Sequence, residues 1–327
     1  MKPIRFGIIG CGNVTEMKSG PGFQKAEHSE LVAVMRRNAE LAEDYARRHG
    51  VPRWYSDAQE LINDPEVDAV YIATPPSSHI EYTLAAAKAG KPVYVEKPMA
   101  LNTDECNAMI AACREAQVPL YVAFYRRALS RFLKVKELLE SGVIGDVRYV
   151  TTVQYQPVPQ TKGGEVPWRL QPELSGGGLF FDLASHTLDL LDFLLGPIAE
   201  AKGFASNQQG QFVGIEDIVT GTYRFESGTH GTGTWCFSAY AREDRNEIVG
   251  SKGKLSFSTF DHEPIRLNTA SGTEEFSFDP PQHIQQPLIQ TVVNDLLGLG
   301  VCTSTGETAA RTNRVMDELV KGFYQRN

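Results

Sequence analysis

The sequence predicts an α/β domain built on a parallel sheet, followed by an α+β domain. Three observations predict it. Over residues 2–123, short apolar β-branched runs alternate with Ala- and Glu-rich helical patterns, and strands apolar on both faces belong to a parallel sheet covered on both sides. After residue 125 this alternation gives way to strands of period two with unlike faces. The length, 327 residues, suits two domains at about 150 residues each. The boundary is drawn after residue 123, giving domains 1–123 and 124–327.

In the first domain the strands are read at 4–10, 31–35, 68–74, 92–96 and 119–124, with helices around 13–25, 39–49, 78–89 and 103–116. His49-Gly50 and Ala89-Gly90 are helix stops, and Asn102-Thr103-Asp104-Glu105 is a start. Glycine accepts the left-handed conformation that follows a last turn, and Asn caps free amides at a first turn. In the second domain an amphipathic helix at 131–141 ends at Ser141-Gly142. A strand at 146–156, a Pro/Gly-rich loop over 157–178 and a strongly apolar helix at 181–195 follow, the last stopped by Gly196-Pro197. Residues 198–278 read as short strands with turns at Ser227-Gly228 and Lys252-Gly253. There Thr220, Thr222 and Arg224 share one face while Gly221, Tyr223 and Phe225 share the other. Helices near 284–299 and 307–323 close the chain.

Composition narrows the functional classes. With 42% hydrophobic and 22% charged residues, the chain can bury full cores. A formal net charge of −8 gives no basic footprint for nucleic acid or an anionic membrane. No apolar run approaches the ~20 residues that span a bilayer. Lys2 and Arg5 interrupt the short apolar stretch at the start, which reads as a first strand and not a signal peptide. The five cysteines, Cys11, Cys106, Cys113, Cys236 and Cys302, form no CxxC pair and are odd in number, against a disulfide scaffold or structural zinc. The seven histidines are scattered, with no HExxH, so no metal site is expected. The expected location is the cytoplasm.

The first strand runs into Gly10-Cys11-Gly12-Asn13-Val14-Thr15 and then a helix. A dinucleotide site needs this order: one glycine makes the tight turn, a second lets backbone approach the pyrophosphate, and helix amides receive the phosphates. Thr15 stands where a third glycine would serve close helix–strand packing. At the end of the second strand, Arg36-Arg37-Asn38 replaces the carboxylate that would bind the ribose 2′-hydroxyl of NAD. Forked guanidinium donors suit a 2′-phosphate, which predicts NADP(H) over NAD(H); otherwise they are two solvated charges ending a strand.

Two constellations could do chemistry. The strand at 92–96 ends in Glu96-Lys97-Pro98, at the sheet edge where open α/β sheets bind ligands. By position alone Lys97 is equally a surface charge beside a proline turn. The second constellation is GGGLFFDLASHTLDLL, residues 176–191, where Asp182, His186 and Asp189 share one helix face. Ionisable groups in so apolar a helix cost several kcal/mol unless paired or used. A purely structural Asp182–His186 hydrogen bond is the alternative.

Together, EKP at the end of the 92–96 strand, SGGG-x3-D-x3-H in the second domain and GxGxx before both resemble the glucose–fructose oxidoreductase / inositol dehydrogenase / MocA (Gfo/Idh/MocA) family. ATPPSSH (73–79), Tyr125-Arg126-Arg127, SGVIGDV (141–147), Pro167-Trp168-Arg169 and GSKGKL (250–255) extend the resemblance over nearly the whole chain. It implies a Rossmann domain joined to a domain whose large, mainly antiparallel open sheet mediates homo-oligomerisation, as a dimer or tetramer. It implies Lys97, Asp182 and His186 as the catalytic set: His186 as acid/base, Lys97 polarising a carbonyl or stabilising an alkoxide, Asp182 orienting the pair. The ammonium and the imidazole are expected to converge on one nicotinamide. Cofactor contacts are implied at Gly10, Gly12, Asn13, Val14, Arg36, Arg37, Thr74, Pro75, Glu96 and Lys97, with His79 near the nicotinamide-side ribose. Tyr125, Arg127, Trp168 and Arg169 are implied at the pocket mouth, where a flat ring and forked donors suit a hydroxylated substrate.

The function these features predict is NAD(P)-dependent oxidoreduction of a sugar, polyol or related hydroxy/keto compound. A nucleotide-bound hydrolase or lyase, oxidising its substrate transiently and returning the hydride, would carry the same residues. A non-catalytic NADP-binding regulator would have no reason to keep buried proton-transfer groups.

Overall fold

Successive residues of a strand face opposite sides of a sheet, so first strands that are apolar throughout need a cover on each side. The computed structural model, which describes residues 1–158, 166–210 and 212–324, shows both covers. Six strands, β1 (Ile4–Ile9), β2 (Ser29–Met35), β3 (Arg53–Tyr55), β4 (Ala69–Ile72), β5 (Val93–Val95) and β6 (Leu120–Val122), pair in parallel in the order β3-β2-β1-β4-β5-β6. Ile9, Val70, Ile72, Val93 and Val95 point into one core, with Leu61, Met109 and Cys113. Phe6, Ile8, Tyr71 and Tyr94 point into the other, with Phe23, Tyr45 and Leu288. A doubly covered parallel sheet is therefore built into the period of two.

Two local features depart from the sequence reading. The helix expected over 13–25 is two short helices, Asn13–Met17 and Gly20–Lys25. A side chain at Gly20 would stand 2.3 Å from both the Thr15 carbonyl and the Tyr45 hydroxyl, so glycine alone fits where the second helix begins. The sequence reading also missed β3 and the helix Ala58–Asn63. Three residues carry too little pattern to announce a strand. The helix start was signalled by Asp57, whose carboxylate accepts from the Gln59 and Glu60 amides at 2.6 and 3.2 Å.

The chain forms two compact units, 1–129 with 281–310, and 130–280 with 311–327. A single cut after residue 123 does not describe this division, because a late segment returns to the first unit. Helix Gln286–Leu296 buries Leu288, Ile289, Val292 and Val293 in the aromatic core beside Phe23 and Tyr94. Ser304 then joins the edge strand, its hydroxyl donating to the Val122 carbonyl at 2.6 Å. An amphipathic stripe announces a helix but does not name the core that receives it.

The second unit holds eight strands, β7 (Val147–Tyr155), β8 (Ile198–Ser206), β9 (Ile218–Phe225), β10 (His230–Cys236), β11 (Glu243–Gly250), β12 (Gly253–Phe257), β13 (Ile265–Thr269) and β14 (Gly272–Phe276). Their order is β14-β13-β12-β11-β7-β10-β9-β8, antiparallel throughout except for the β7–β10 pair. In β9 the expected alternation holds, with Tyr223 and Phe225 buried and Thr222 and Arg224 exposed. Helix Leu179–Leu195 lies in this unit's core, with Phe180 edge-on to Trp235 at 5.2 Å. The loop read over 157–178 lies partly outside the described residues.

The first-unit helix Asn13–Met17 is tied to its neighbour Ala39–His49 through Glu16, whose carboxylate takes both arms of Arg48 at 2.8 Å and the His49 ring at 2.8 Å. Arg48 chiefly, then His49, hold the Glu16 carboxyl down at about 2. Because the folded state depresses this acid, its stabilising share is present above its ordinary 4.5 and disappears as pH falls towards 2. The pair is one-third exposed, so screening limits the effect to about 1 kcal/mol or less. Glu16→Gln is therefore expected to lower the melting midpoint at pH 7 and to converge with the wild type between pH 4.5 and 2. Thermal melts across that range measure it, and a constant offset would refute the assignment.

Candidate active site

In the first unit, six parallel strands bring their carboxyl ends to one edge of the sheet. Gly10, Arg36, Thr74, Glu96-Lys97 and Tyr125 all follow strand ends there. Gly10 sits at φ +90°, and a methyl group on it would stand 2.7 Å from the Thr74 Cγ2. Only glycine accepts both conditions. A methyl on Gly12 would meet nothing closer than the Gly10 carbonyl at 3.8 Å, so the space over the turn is open. Asn13 is exposed and Val14 half-buried beside it.

Thr15 has a definite task here. Its hydroxyl accepts from the Gly12 amide at 3.0 Å and donates to the Gly12 carbonyl at 2.8 Å, closing the turn on itself. The close packing that a third glycine would permit is moved five residues on, to Gly20 against Tyr45 and Thr15. The helix after the turn spans Asn13–Met17, shorter than the helix read over 13–25, and a short helix has a small dipole. Open space over Gly12, beside Thr74 and half-buried Pro75, fits an extended phosphate-linked ligand approaching backbone.

At the end of β2, Arg36 is half-buried and Arg37 exposed. Among the described residues no carboxylate pairs with either guanidinium. Asn38, in contrast, is a helix cap, its side chain accepting from the Leu41 amide at 3.0 Å.

At the end of β5, Glu96 is 7% exposed. Its Oε1 accepts from the Tyr71 hydroxyl at 2.5 Å and the Gln285 amide at 2.6 Å, and its Oε2 faces the Lys97 amide at 3.2 Å. The Lys97–Pro98 peptide is cis, and the lysine is half-buried. His79 departs from expectation. Its ring is completely enclosed, with Nε2 2.8 Å from the Thr74 carbonyl and Nδ1 3.1 Å from those of Pro98 and Met99. A side chain with no accessible surface does not line a ribose, so the expected cofactor contact is replaced by a tie between backbone segments. Burial lowers the tendency of this ring to protonate. Arg127 also departs from expectation: it is 4% exposed and donates to the Thr303 carbonyl at 3.0 Å, which is no pocket mouth. Tyr125 is half-buried beside Arg126, whose guanidinium lies 5.0 Å from its ring centre.

In the second unit, helix Leu179–Leu195 carries Asp182 and His186 one turn apart. His186 is 4% exposed and meets Phe260 edge to face at 5.7 Å. Asp182 receives the Arg169 Nε at 3.1 Å, and that guanidinium lies 4.4 Å from the Trp168 ring centre. Trp168 and Arg169, implied at a pocket mouth, thus form one layered group with Asp182, implied in the catalytic set. Further along, Asp192 takes both arms of Arg311 at 2.7 and 2.8 Å, and buried Asp189 stays inside the unit.

The sequence reading missed what holds this helix at its start. Glu216, 2% exposed, places both carboxylate oxygens 3.0 Å from the Gly178 amide, and the Tyr324 hydroxyl donates to one of them. Burial raises its carboxyl, yet a carboxylate at a helix N-terminus is favoured by the amides it caps. The Glu216-Asp217 dipeptide lies 38 residues from Gly178 and carries no capping pattern readable along the chain. The glycines of SGGG are explained by contact: a methyl on Gly178 would lie 2.8 Å from Glu216, and one on Gly177 would lie 2.1 Å from the Phe181 ring. Among the described residues no cluster of His, Cys, Asp or Glu could hold a metal ion, and no helix is long and apolar enough to cross a membrane.

Comparisons with known proteins show the family. A family model for an oxidoreductase family with an NAD-binding Rossmann fold (GFO_IDH_MocA) matches residues 4–124, and one for the GFO/IDH/MocA C-terminal domain matches 132–256. The chain is 43% identical over 317 residues to Oxidoreductase P35 of Formosa agariphila, covering 96% of this chain and 97% of that one. It is 31% identical over 310 residues to 1,5-anhydro-D-fructose reductase of Ensifer adhaerens, covering 93% and 91%. Among solved structures, an aldose-aldose oxidoreductase from Caulobacter crescentus complexed with glycerol superposes with a TM-score of 0.88 at 26% identity, covering 99% and 98%.

Gly178→Ala tests the packing at the helix start. Overpacking against Glu216 is expected to cost about 1–3 kcal/mol, read as a lowered melting midpoint together with reduced turnover. An unchanged midpoint would show that the turn has room the contacts deny.

Proposed function

The chain belongs to the GFO/IDH/MocA family of NAD(P)-dependent oxidoreductases, and from that premise we propose that it moves a hydride between NADP(H), in preference to NAD(H), and a hydroxyl-bearing carbon of a sugar, polyol or related hydroxy/keto compound. The observation that carries this reading is the single sheet edge holding the open glycine turn, Thr74, Lys97 and two arginines that no carboxylate pairs with among the described residues. When bound, the nicotinamide supplies the hydride acceptor or donor. Gly10, Gly12, Asn13 and Val14 would receive the pyrophosphate, and Thr74 and Pro75 would flank the adenosine side. Arg36 and Arg37 would hold the 2′-phosphate by forked, charge-assisted hydrogen bonds, and a cation that no carboxylate already neutralises does this best.

Oxidising a C–H carbon also requires a proton to leave its oxygen. We assign that proton to His186, whose imidazole exchanges it in a useful range. To the Lys97 ammonium we assign stabilisation of the charge that develops on a substrate oxygen. Asp182 would orient His186, one turn along the same helix, and its bond to Arg169 fixes where its carboxylate points. Trp168 and Arg169 offer a flat ring and a forked donor to a hydroxylated substrate. Glu96 acts by fixing the backbone of Lys97 rather than by touching the cofactor, since its oxygens are already engaged.

Lys97→Ala and His186→Ala are expected to lose at least about 100-fold in kcat while keeping NADPH binding. Steady-state assays over a panel of sugars, polyols and their keto forms, with NADPH fluorescence titration alongside, measure both; near-normal turnover in either variant removes the assignment. NADPH formed in proportion to substrate separates net oxidoreduction from internal redox chemistry, in which the nucleotide stays catalytic. The double variant Arg36→Ala, Arg37→Ala is expected to weaken NADPH by about 10- to 100-fold, from charged hydrogen bonds worth about 1.5–3 kcal/mol, and to leave NADH unchanged. Equal weakening of both cofactors would overturn the preference.

A further inference from the structure

We propose that His79 and Gln285 are positioning residues for Lys97, holding the backbone immediately after and immediately before it. The inference rests on the reading of Lys97 as a catalytic group, and it concerns two residues that touch neither substrate nor cofactor in that reading.

The lysine side chain has four rotatable bonds, so the aim of its ammonium depends on how firmly its own Cα is held. On the upstream side the anchor is Glu96. Its Oε1 is held by the Gln285 amide at 2.6 Å and the Tyr71 hydroxyl at 2.5 Å, while Oε2 faces the Lys97 amide at 3.2 Å. Gln285 is 1% exposed and is itself fixed from both ends. Its Oε1 accepts from the Tyr94 hydroxyl at 3.2 Å, and its backbone amide donates to the Lys18 carbonyl at 3.1 Å. If it turned away, this buried carboxylate oxygen would lose one of its two donors and keep Tyr71. Burial keeps the Tyr71 and Tyr94 hydroxyls protonated, so both remain donors into this network.

On the downstream side the anchor is His79. Its ring reaches across from the start of helix His79–Lys88 to the Pro98 and Met99 carbonyls, and at its other edge to the Thr74 carbonyl. All three partners are acceptors and the neutral ring carries one N–H, so it donates on one side, to Thr74 or to Pro98 and Met99, and packs against the other. The enclosed imidazole thereby fills the space between the turn that follows Lys97 and the end of β4, the same strand end that closes on Gly10. Lys97 is the half-buried link between two buried anchors. Displacing a reacting group by about 1 Å costs on the order of 100-fold in rate, which sets the effect expected when either anchor is removed.

The test compares purified His79→Leu, His79→Gln and Gln285→Met with the wild type, and with Lys97→Arg and Lys97→Ala as references. The expected result is a kcat lowered about 100-fold in His79→Leu and Gln285→Met, with the NADPH dissociation constant changed by less than about threefold. The limb of the kcat/KM pH profile that Lys97→Arg displaces should move in both variants, and His79→Gln, which keeps a donor, should recover part of the lost rate. A merely structural role would not move that limb. Folded variants with wild-type kcat and pH profile would overturn the proposal. So would a loss of rate matched by an equal loss of NADPH affinity with the profile unmoved. If His79→Leu fails to fold, Gln285→Met and His79→Gln decide the question by the same readouts. Full turnover in Lys97→Ala would instead refute the assignment of Lys97, and the proposal with it, without involving His79 or Gln285.

Discussion

Six strands running the same way leave every carboxyl end on one edge of the first sheet, and what this chain can bind follows from that constraint. A parallel strand cannot return by a tight turn, so each one must lead into a crossover. Its last residues therefore emerge at a single rim. Gly10, Arg36, Thr74 and Lys97 are separated by tens of residues in the chain yet lie at adjacent strand ends. Their proximity follows from strand direction, and no pairwise attraction among them is required. With β1 between β2 and β4, the rim also contains the switch in strand order where open sheets leave a crevice.

Holding polar groups at such a rim has an energetic consequence. A carboxylate as buried as Glu96 would cost several kcal/mol if left unpaired, and the hydroxyl of Tyr71 with the amide of Gln285 offsets that cost. The second unit solves the same problem differently. Its buried Glu216 sits on amides at the start of helix Leu179–Leu195, and its buried Asp192 takes a two-armed Arg311. In each case the compensating partner lies far along the chain. Each unit thus keeps its candidate chemical groups on backbone that is pinned by buried polar bonds, which favours preorganisation over flexibility.

Legibility from sequence divides along the range of the interactions. The unbroken apolar runs of β1, β4 and β5, separated by helical patterns, gave the doubly covered sheet, and the period of two in β9 gave an antiparallel strand with one wet face. Gly10 and Gly12 were legible because their conformational demands are local. The three-residue β3 was not, since so short a strand carries no period, and the close packing at Gly20 was not, because its neighbours there, the Tyr45 hydroxyl and the Thr15 carbonyl, are met through tertiary contact. His79 and Arg127 were assigned outward-facing tasks, whereas tertiary contacts enclose both. Gln285 and Glu216 carried no local signal: a buried Gln and a buried Glu look in sequence like any surface polar residue.

The amino-acid order by itself determined the fold class, the glycine turn, the missing carboxylate after β2 and the presence of Lys97, Asp182 and His186, because these depend on residue type and short spacing. Only the tertiary structure decided which unit the segment 281–310 joins, that Thr15 closes the turn on Gly12, and that Gln285 and His79 flank the lysine from inside. The physical reason is that hydrogen bonds between distant residues are satisfied by position in space, and chain spacing carries no record of which buried donor will meet which buried acceptor.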